Sequence, residues 1–217
     1  MNMISFQKIL LISLLLYGGT SFGEVGYVAN TKSPNQQICI ARENDAEGSE
    51  GYFFVNTKNN LKRGVLLSPT EAAGLRNIVI RAVWNGDSSR VAILLSYGTK
   101  LSTLEIFEEG QDGQFKSVPF SMPDPIEVYQ KEYSAKLNLD GVTGFSVNRL
   151  GSWIKSNVVS LMVGDAKEFD DQIIYILATF HVRIEGGHSL VENVQSAGKL
   201  TKPESDAFLK KWTKREK

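Results

Sequence analysis

The longest alternating stretch of the chain, Asp171 to Glu185, is the feature that most constrains its fold. Every even-numbered position from Ile174 to Ile184 is apolar, whereas the odd-numbered positions change from apolar to polar towards Arg183. Because successive side chains of a strand point to opposite faces, the pattern predicts a long β-strand with its even-numbered face in the core. The residues are mostly β-branched or aromatic, which favours a central position in a packed sheet.

Shorter strand-like segments surround this one. Tight-turn residues, Asn85-Gly86-Asp87 and the stretch from Gly110 to Gly113, separate several of them, and such spacing indicates an antiparallel meander. Gly164 to Asp171 is interpreted as an acidic connection, and His188 to Gln195 as a short strand. The other predicted strands are Gln37–Arg42, Tyr52–Asn56, Arg63–Leu67, Asn77–Trp84, Arg90–Tyr97, Ser102–Glu108, Gln114–Val118, Gly144–Asn148 and Asn157–Val163.

Three helix starts share a pattern, in which a capping residue is followed by a proline one or two positions later and by a glutamate three positions later. They are Ser68-Pro69-Thr70-Glu71, Asp124-Pro125-Ile126-Glu127 and Thr201-Lys202-Pro203-Glu204. A capping side chain accepts from free amides, and proline loses no donor in the first turn. The chain is therefore predicted to be α+β, mainly antiparallel β-sheet, with three short helices including a C-terminal one.

The N-terminus has the three-part pattern of a secretory signal peptide. Lys8 is the only charge in the first segment, Ile9 to Tyr17 is apolar, and small residues end at Gly23. The apolar run is shorter than the roughly 20 residues that span a bilayer, so an uncleaved anchor is the second choice. We expect residues 1–23 to be removed before Glu24. Residues 24–217 then form a single exported domain, periplasmic or extracellular, with no transmembrane span.

Composition excludes some classes of function. Lys plus Arg and Asp plus Glu both total 24, so the chain lacks the basic surface that nucleic-acid binding requires. Cys39 is the only cysteine and is interpreted as a small buried hydrophobic residue, since a lone cysteine cannot close an internal disulfide.

The segment from Trp84 to Ala92, with the strands after it, resembles one blade of a β-propeller over Ile78 to Val118. A propeller contains four or more blades. The sequence contains one fair unit and one poorer unit, so neither the fold nor a site follows from the resemblance. A weaker internal similarity, a tryptophan followed by an apolar strand, recurs at Trp84 and Trp153 and suggests a duplication.

Motifs for catalysis or cofactor binding are missing. The serines lack a nucleophile elbow, and the glycines lack the spacing of phosphate or dinucleotide loops. His181, Glu185 and His188 are the best source of metal ligands. However, His181 and Glu185 would lie about 13 Å apart on a strand, so no metal and no cofactor are expected.

Two surfaces are candidates for binding. The polar end of the long strand presents Tyr175, Thr179, His181 and Arg183 on one face. The end of the last helix carries a basic group with one tryptophan: Lys210, Lys211, Trp212, Lys214 and Arg215. In one interpretation the cations stabilise the negative end of the helix dipole, and the apolar side chains dock on the sheet. In the alternative, the basic end of the helix makes peripheral contact with an anionic envelope surface.

The sequence therefore favours a non-catalytic exported protein that binds a protein, a peptide or a glycan. The alternative is a hydrolase of an envelope or extracellular polymer that uses two carboxylates. A deep cleft with two facing carboxylates would favour the hydrolase, and a flat surface would favour the binding protein.

Overall fold

The computed structural model describes residues 26–45, 47–75, 77–98, 101–137, 144–169 and 172–215. Across these ranges the chain is α+β and mainly antiparallel β-sheet, with three helices, which confirms the predicted fold class. None of the helices found there has the length and apolar character needed to cross a bilayer. The predicted signal peptide, residues 1–23, lies outside the described residues.

The strands form three antiparallel sheets that follow one another along the chain. The first sheet contains β1 (Gly26–Tyr27), β2 (Ile38–Asn44), β3 (Glu50–Asn56) and β4 (Lys62–Leu67). The middle sheet contains β5 (Val79–Trp84), β6 (Arg90–Tyr97), β7 (Leu101–Glu109) and β8 (Phe115–Ser117). The third sheet contains β9 (Gly144–Ser146), β10 (Arg149–Lys155), β11 (Val158–Phe169), β12 (Gln172–Glu185) and β13 (His188–Thr201), with β9 and β10 both paired to β11.

Three helices connect or end the sheets. They are α1 (Pro69–Ala72), α2 (Pro125–Tyr133) and α3 (Lys202–Arg215). Each begins at a predicted capping residue. Ser68 and Glu71 form a complete capping box, Asp124 accepts from the amides of Ile126 and Glu127, and the amide and hydroxyl of Thr201 donate to Glu204 at 2.8 Å.

The middle sheet is buried on both faces because it lies between the other two. Along β6, Val91, Ile93 and Leu95 pack against the first sheet, whereas Ala92 and Leu94 pack against the third. All five side chains are at most 3% exposed. A strand covered on both faces is apolar at every position, which explains why β6 shows no alternation in sequence.

The long strand is present as β12, and its even-numbered face lies in the core as predicted. Ile176, Phe180 and Ile184 are 0% exposed, and Phe180 and Ile184 pack against the middle sheet. On the other face, Tyr175 and Leu177 are covered by Trp212 of α3. Both faces of the first half of β12 are therefore buried, and only its second half has a polar outer face.

Two segments differ from the sequence prediction. Gly164 to Asp171, predicted as an acidic connection, continues β11 as far as Phe169, with Asp165 and Lys167 paired at 3.7 Å above buried Ala166. The short strand predicted from His188 to Gln195 extends to Thr201 as β13. β11 and β13 are longer than predicted because both pair with β12, which offers a partner for every residue of β11. This tertiary contact overrides the preference of the local sequence.

The region that resembles a propeller blade is a four-stranded antiparallel meander, β5 to β8. It lies against the first sheet at Gly64 on β4, whose φ is +147°. A Cβ atom at Gly64 would lie 2.5 Å from the carbonyl oxygen of Phe115 on β8. Only glycine therefore permits this contact between the two sheets.

Polar side chains join the middle sheet to the turns of the third. Asn85 is 0% exposed, accepts from the amide of Arg90 at 3.0 Å and donates to the carbonyl of Ser156 at 2.9 Å. Arg90 forms an ion pair with Glu108 at 2.5 Å, and Glu108 also accepts from the amide of Gly187 at 2.8 Å. The two sheets are thus held together by satisfied hydrogen bonds as well as by apolar packing.

Candidate functional site

A small polar cleft lies where the β6–β7 turn of the middle sheet meets β9 and β10 of the third. It encloses about 200 Å³. The polar groups that line it are a guanidinium, a phenol and three hydroxyls, from Arg149, Tyr175, Ser96, Ser102 and Ser146. Among the described residues that line the cleft, Arg149 is the one with a charged side chain, and a guanidinium can bind a carboxylate or a phosphate.

Backbone contacts fix the cleft between the two sheets. The hydroxyl oxygen of Ser146 accepts from the amide of Ser102 at 3.2 Å, and the side-chain amide of Asn148 donates to the carbonyl of Ser102 at 2.6 Å. The amide of Val147 donates to the carbonyl of Gly164 at 2.7 Å. A Cβ atom at Gly164 would lie 3.0 Å from the carbonyl of Ile176 and 3.2 Å from the carbonyl of Val147, so glycine suits the close packing of β11 between β12 and the residue after β9.

Arg149 is the half-buried cation of the cleft. Its guanidinium donates to the carbonyl of Asn148 at 2.8 Å, and within the described ranges it has no carboxylate partner. Burial lowers the pKa of Arg149, the positive charge of Arg81 lowers it further, and Tyr175 acts in the opposite direction. The guanidinium nevertheless stays charged, because arginine is not deprotonated in proteins. A charge desolvated in this way without a partner is unfavourable, which is the expected state of a site that receives an anion.

The structure brings one residue of the predicted strand patch into the cleft. Tyr175 is 9% exposed there, with its ring in the core beneath α3. Thr179, His181 and Arg183 lie farther along the outer face of β12, away from the cleft lining.

The polar end of β12 has its own partners. His181 Nδ1 lies 3.0 Å from the side-chain amide of Asn193, and Arg183 pairs with Glu192 at 2.9 Å. Ser160, His181 and Glu192 occupy neighbouring cross-strand positions, which is the order that a serine, a histidine and an acid would need. The hydrogen bonds of His181 and Glu192, however, run to Asn193 and Arg183. The row therefore does not form a catalytic relay as it stands.

The basic end of the C-terminal helix is divided between core and surface. Trp212 is 8% exposed and packs with Phe208 and Leu209 in the core beneath α3, as expected for docking on the sheet. Lys210, Lys211 and Lys214 are exposed. The side chain of Arg215 lies outside the described side chains.

A second cleft, of about 380 Å³, lies between the β7–β8 turn and the β12–β13 turn. Glu108 and Glu109 line it, but each binds an arginine: Glu108 pairs with Arg90 at 2.5 Å and Glu109 pairs with Arg63 at 2.7 Å. Neighbouring residues of a strand also point to opposite faces. These two carboxylates are therefore not a facing pair of the kind that a glycosidase uses.

Metal ligation gains no support from the geometry. Within the part of the chain that is described, no three side chains of the ligating types lie close enough to hold an ion. Glu185 and His188 are paired across the β12–β13 hairpin, while His181 contacts Asn193.

Sequence reasoning missed Arg149 and the serines of the cleft. The predicted strand ended at Asn148, one residue before Arg149, and nothing in the local pattern distinguishes this arginine from a solvated one. The site exists only because the turn of the middle sheet is placed against β9 and β10. That placement is a tertiary contact without a local signal.

No protein-family model matches the chain, and comparisons with curated proteins and with solved structures gave no significant match. The function is therefore inferred from the geometry and chemistry of the described residues.

Proposed function

We propose that this protein is a non-catalytic, exported binding protein that receives an anionic group of its ligand in the cleft at Arg149. The observation that carries the proposal is the half-buried guanidinium of Arg149, which lacks a carboxylate partner in the described ranges and is surrounded by hydroxyl groups. A planar guanidinium can bind a carboxylate through two parallel hydrogen bonds, and burial strengthens such a contact.

The size of the cleft limits what enters it. A volume of about 200 Å³ is smaller than the usual 300–1,000 Å³ of a pocket that encloses a drug-sized molecule. One acidic side chain or one carboxylated sugar unit fits this space better than a whole small ligand does. The cleft therefore suits an acidic group that projects from a larger protein, peptide or glycan.

Binding is favoured over the hydrolase alternative by the distribution of charge. The cleft contributes a fixed cation and neutral hydroxyls, whereas general acid–base chemistry on a glycan needs two carboxyl groups on opposite sides of the scissile bond. The carboxylates of the larger cleft, Glu108 and Glu109, are held by arginines.

Export rests on the residue pattern of 1–23, and a direct measurement tests it. The protein expressed with its full N-terminus should be recovered from the periplasm or the medium with a mass that begins at Glu24. Replacing Leu14 and Leu15 with arginine should keep it in the cytoplasm at full length. Full-length protein in the exported fraction would contradict cleavage at this position.

The binding proposal is tested by replacing Arg149. Carboxylated glycans and acidic peptides are titrated against the mature protein and against Arg149→Gln, with melting temperature and calorimetry as readouts. We expect at least one carboxylated compound to bind the unmodified protein at least tenfold more tightly than Arg149→Gln, which corresponds to the ~1.4 kcal/mol of a charge-assisted hydrogen bond. Lys58→Gln, which changes an exposed cation in the β3–β4 turn outside the cleft, is the control and should bind normally. Equal binding by Arg149→Gln would overturn the proposal.

Peripheral contact with an anionic surface is a separate part of the proposal, supported by the exposed side chains of Lys211 and Lys214. Lys211→Glu with Lys214→Glu should abolish salt-sensitive binding to phosphatidylglycerol vesicles, with only a small loss of stability because both residues lie near the negative end of the helix dipole. The same vesicle binding in the doubly substituted and unmodified proteins would exclude this contact.

A further inference from the structure

A groove runs along the outer edge of the middle sheet, beside the N-terminal half of β5. It encloses about 560 Å³ between this strand and the segment from Val28 to Asn30. Its apolar lining includes Val28, Ile78 and Ile80, which also contribute to the core between the first and middle sheets. The groove therefore offers an apolar wall and a strand edge at the same place.

The backbone of β5 is unpaired on this side. β5 is the outermost strand of the middle sheet and pairs with β6 without a bulge, among the strands that are described. The amide of Asn85 donates to the carbonyl of Arg90, so by the alternation of an antiparallel pair Val79, Arg81 and Val83 face β6. The backbone groups of Ile80 and Ala82 consequently point into the groove.

Within the described ranges, this edge lacks the usual protection against pairing with another strand. Exposed edges are commonly blocked by bulges, prolines, inward-pointing charges or a covering element. The edge strands of the third sheet, β10 and β13, each contain two register shifts, and β5 contains none. Trp153 donates to the carbonyl of Val83 at 2.8 Å from the face of β5 that packs against the third sheet, beyond the groove, which is lined by the β5 side of the chain from Ile78 to Ala82.

The two sides of the edge differ in chemistry. Side chains at Ile80 and Ala82 face the first sheet and its apolar core. Arg81 points to the opposite side, is exposed, and has no ion-pair partner within the described ranges. It also lies near enough to Arg149 for the two positive charges to interact. A strand laid on this edge would meet apolar surface on one face and two arginines on the other.

We infer that the ligand is an extended peptide segment of a partner protein, with alternating apolar and acidic residues, that adds as a fifth strand to the edge of β5. The apolar side chains of the peptide lie against Val28 and Ile80, and its main chain pairs with Ile80 and Ala82. The acidic side chains of the peptide meet Arg81 and Arg149. Main-chain pairing gives affinity in such complexes, and alternate side chains give specificity. The inference rests on the proposed function where it assigns an acidic side chain to Arg149.

The test uses an acetylated, amidated peptide of alternating valine and aspartate with a fluorescent label, titrated into the mature protein. Its block isomer, with all valines before all aspartates, has the same composition and charge and should bind at least tenfold more weakly.

N-methylation of alternate residues removes half of the peptide's amide donors. One of the two possible N-methylated peptides should lose about tenfold or more in affinity, and the other should bind nearly normally, because only one set of amides faces β5.

Variants of the chain assign the contacts. Arg81→Gln should weaken the binding of the alternating peptide severalfold, whereas Lys58→Gln, at an exposed cation in the β3–β4 turn, should not. Ile80→Pro removes an amide that makes no bond to β6 and should reduce affinity at least tenfold. If Ile80→Pro fails to fold, the pair of N-methylated peptides still decides the question, because it needs no change in the protein.

The failures of the two proposals are distinguishable. Equal binding of both N-methylated peptides and of the block isomer overturns strand addition, even if Arg149→Gln abolishes binding. A clear N-methylation pattern that Arg149→Gln leaves unchanged supports strand addition at β5 and overturns the role of the cleft. A dimer at micromolar concentration that excludes the peptide and is lost in Ile80→Pro would assign the edge to a second copy of this chain and overturn the inference.

Discussion

The indole groups of Trp84 and Trp153 make equivalent contacts one sheet apart. Trp84 Nε1 donates to the carbonyl of Thr31 at 2.9 Å, beside the first sheet, and Trp153 Nε1 donates to the carbonyl of Val83 at 2.8 Å, in the middle sheet. Each tryptophan thus ties its own sheet to the preceding part of the chain. The sequence similarity around the two residues corresponds to a shared contact, whereas duplication itself remains a prediction.

Replacing either tryptophan by phenylalanine should destabilise the protein by a similar amount. Trp153→Phe keeps an aromatic ring in the core between the middle and third sheets but loses the indole donor. Trp84→Phe keeps a ring in the core between the first and middle sheets and loses the equivalent donor. A lost neutral hydrogen bond and some lost area should lower the free energy of unfolding by about 1–2 kcal/mol in each case. Urea denaturation followed by circular dichroism measures both, and an unchanged midpoint in either variant would contradict the assigned role.

Asn85→Ala should be more destabilising than a typical polar substitution. The change leaves the amide of Arg90 without the acceptor that the fully buried side chain of Asn85 provides, whereas the carbonyl of Ser156 keeps a second donor in Arg90 Nη1 at 3.2 Å. An unsatisfied buried group costs about 1–3 kcal/mol, so we expect a loss of about 1–3 kcal/mol in urea denaturation. Asn44→Ala, at an exposed position at the end of β2, is the control and should stay within about 0.5 kcal/mol of the unmodified protein. Similar losses in the two variants would refute this account.

Gly64→Ala should separate the first sheet from the middle sheet locally. The added methyl group would meet the backbone of Phe115, which cannot rotate away, and the residue has a positive φ. Overpacking and strain together should lower stability by about 2–4 kcal/mol. Gly86→Ala provides the comparison, because a Cβ atom there meets nothing within 4 Å. Thermal unfolding of the two variants checks the prediction, which fails if Gly64→Ala melts at or above the temperature of Gly86→Ala.

Glu105→Gln should stabilise the protein at neutral pH but not at low pH. Burial raises the pKa of Glu105, and the nearby charge of Glu71 raises it further. A carboxyl group whose folded pKa exceeds its unfolded value is least unfavourable below the unfolded pKa, and its stability contribution decreases as pH rises through the folded pKa. The stabilisation by glutamine should therefore be largest above the raised pKa and disappear below the unfolded value of about 4.3.

Melting temperatures of Glu105→Gln and the unmodified protein between pH 3 and pH 8 test this sign. Glu47→Gln is the matched control, since Glu47 is exposed and its replacement should give a small difference with little dependence on pH. A Glu105→Gln variant that is less stable than the unmodified protein at pH 7 would show that the charged carboxylate has a favourable partner.

Local sequence signals predicted the parts of the fold that depend on local physics. Helices begin at Ser68 and Asp124 because these side chains accept from amides of the first turn, and at Thr201 because the carboxylate of Glu204 accepts from the amide of Thr201. The alternation that identified β12 is likewise a property of one strand. The grouping of strands into three separate sheets was not predictable in this way, because it depends on which apolar faces meet.

The candidate site was predicted only in part for the same reason. Tyr175 was found because it lies on the distinctive strand, and the structure places it in the cleft. Arg149 was missed because its importance lies in what surrounds it: a turn from another sheet and the lack of an acidic neighbour in the described ranges. Desolvation of a single arginine is a three-dimensional property that neither composition nor periodicity reports.

Strand pairing in the described ranges is almost entirely between successive strands, with β9 and β11 as the exception. A chain synthesised from its N-terminus can therefore complete each meander before the next one leaves the ribosome. The exposed apolar face of each completed meander can then pack against the next meander as that one folds. The last meander, which has the longest strands, is the last to pack against the others. We therefore expect the protein to become resistant to proteolysis only when this meander has folded.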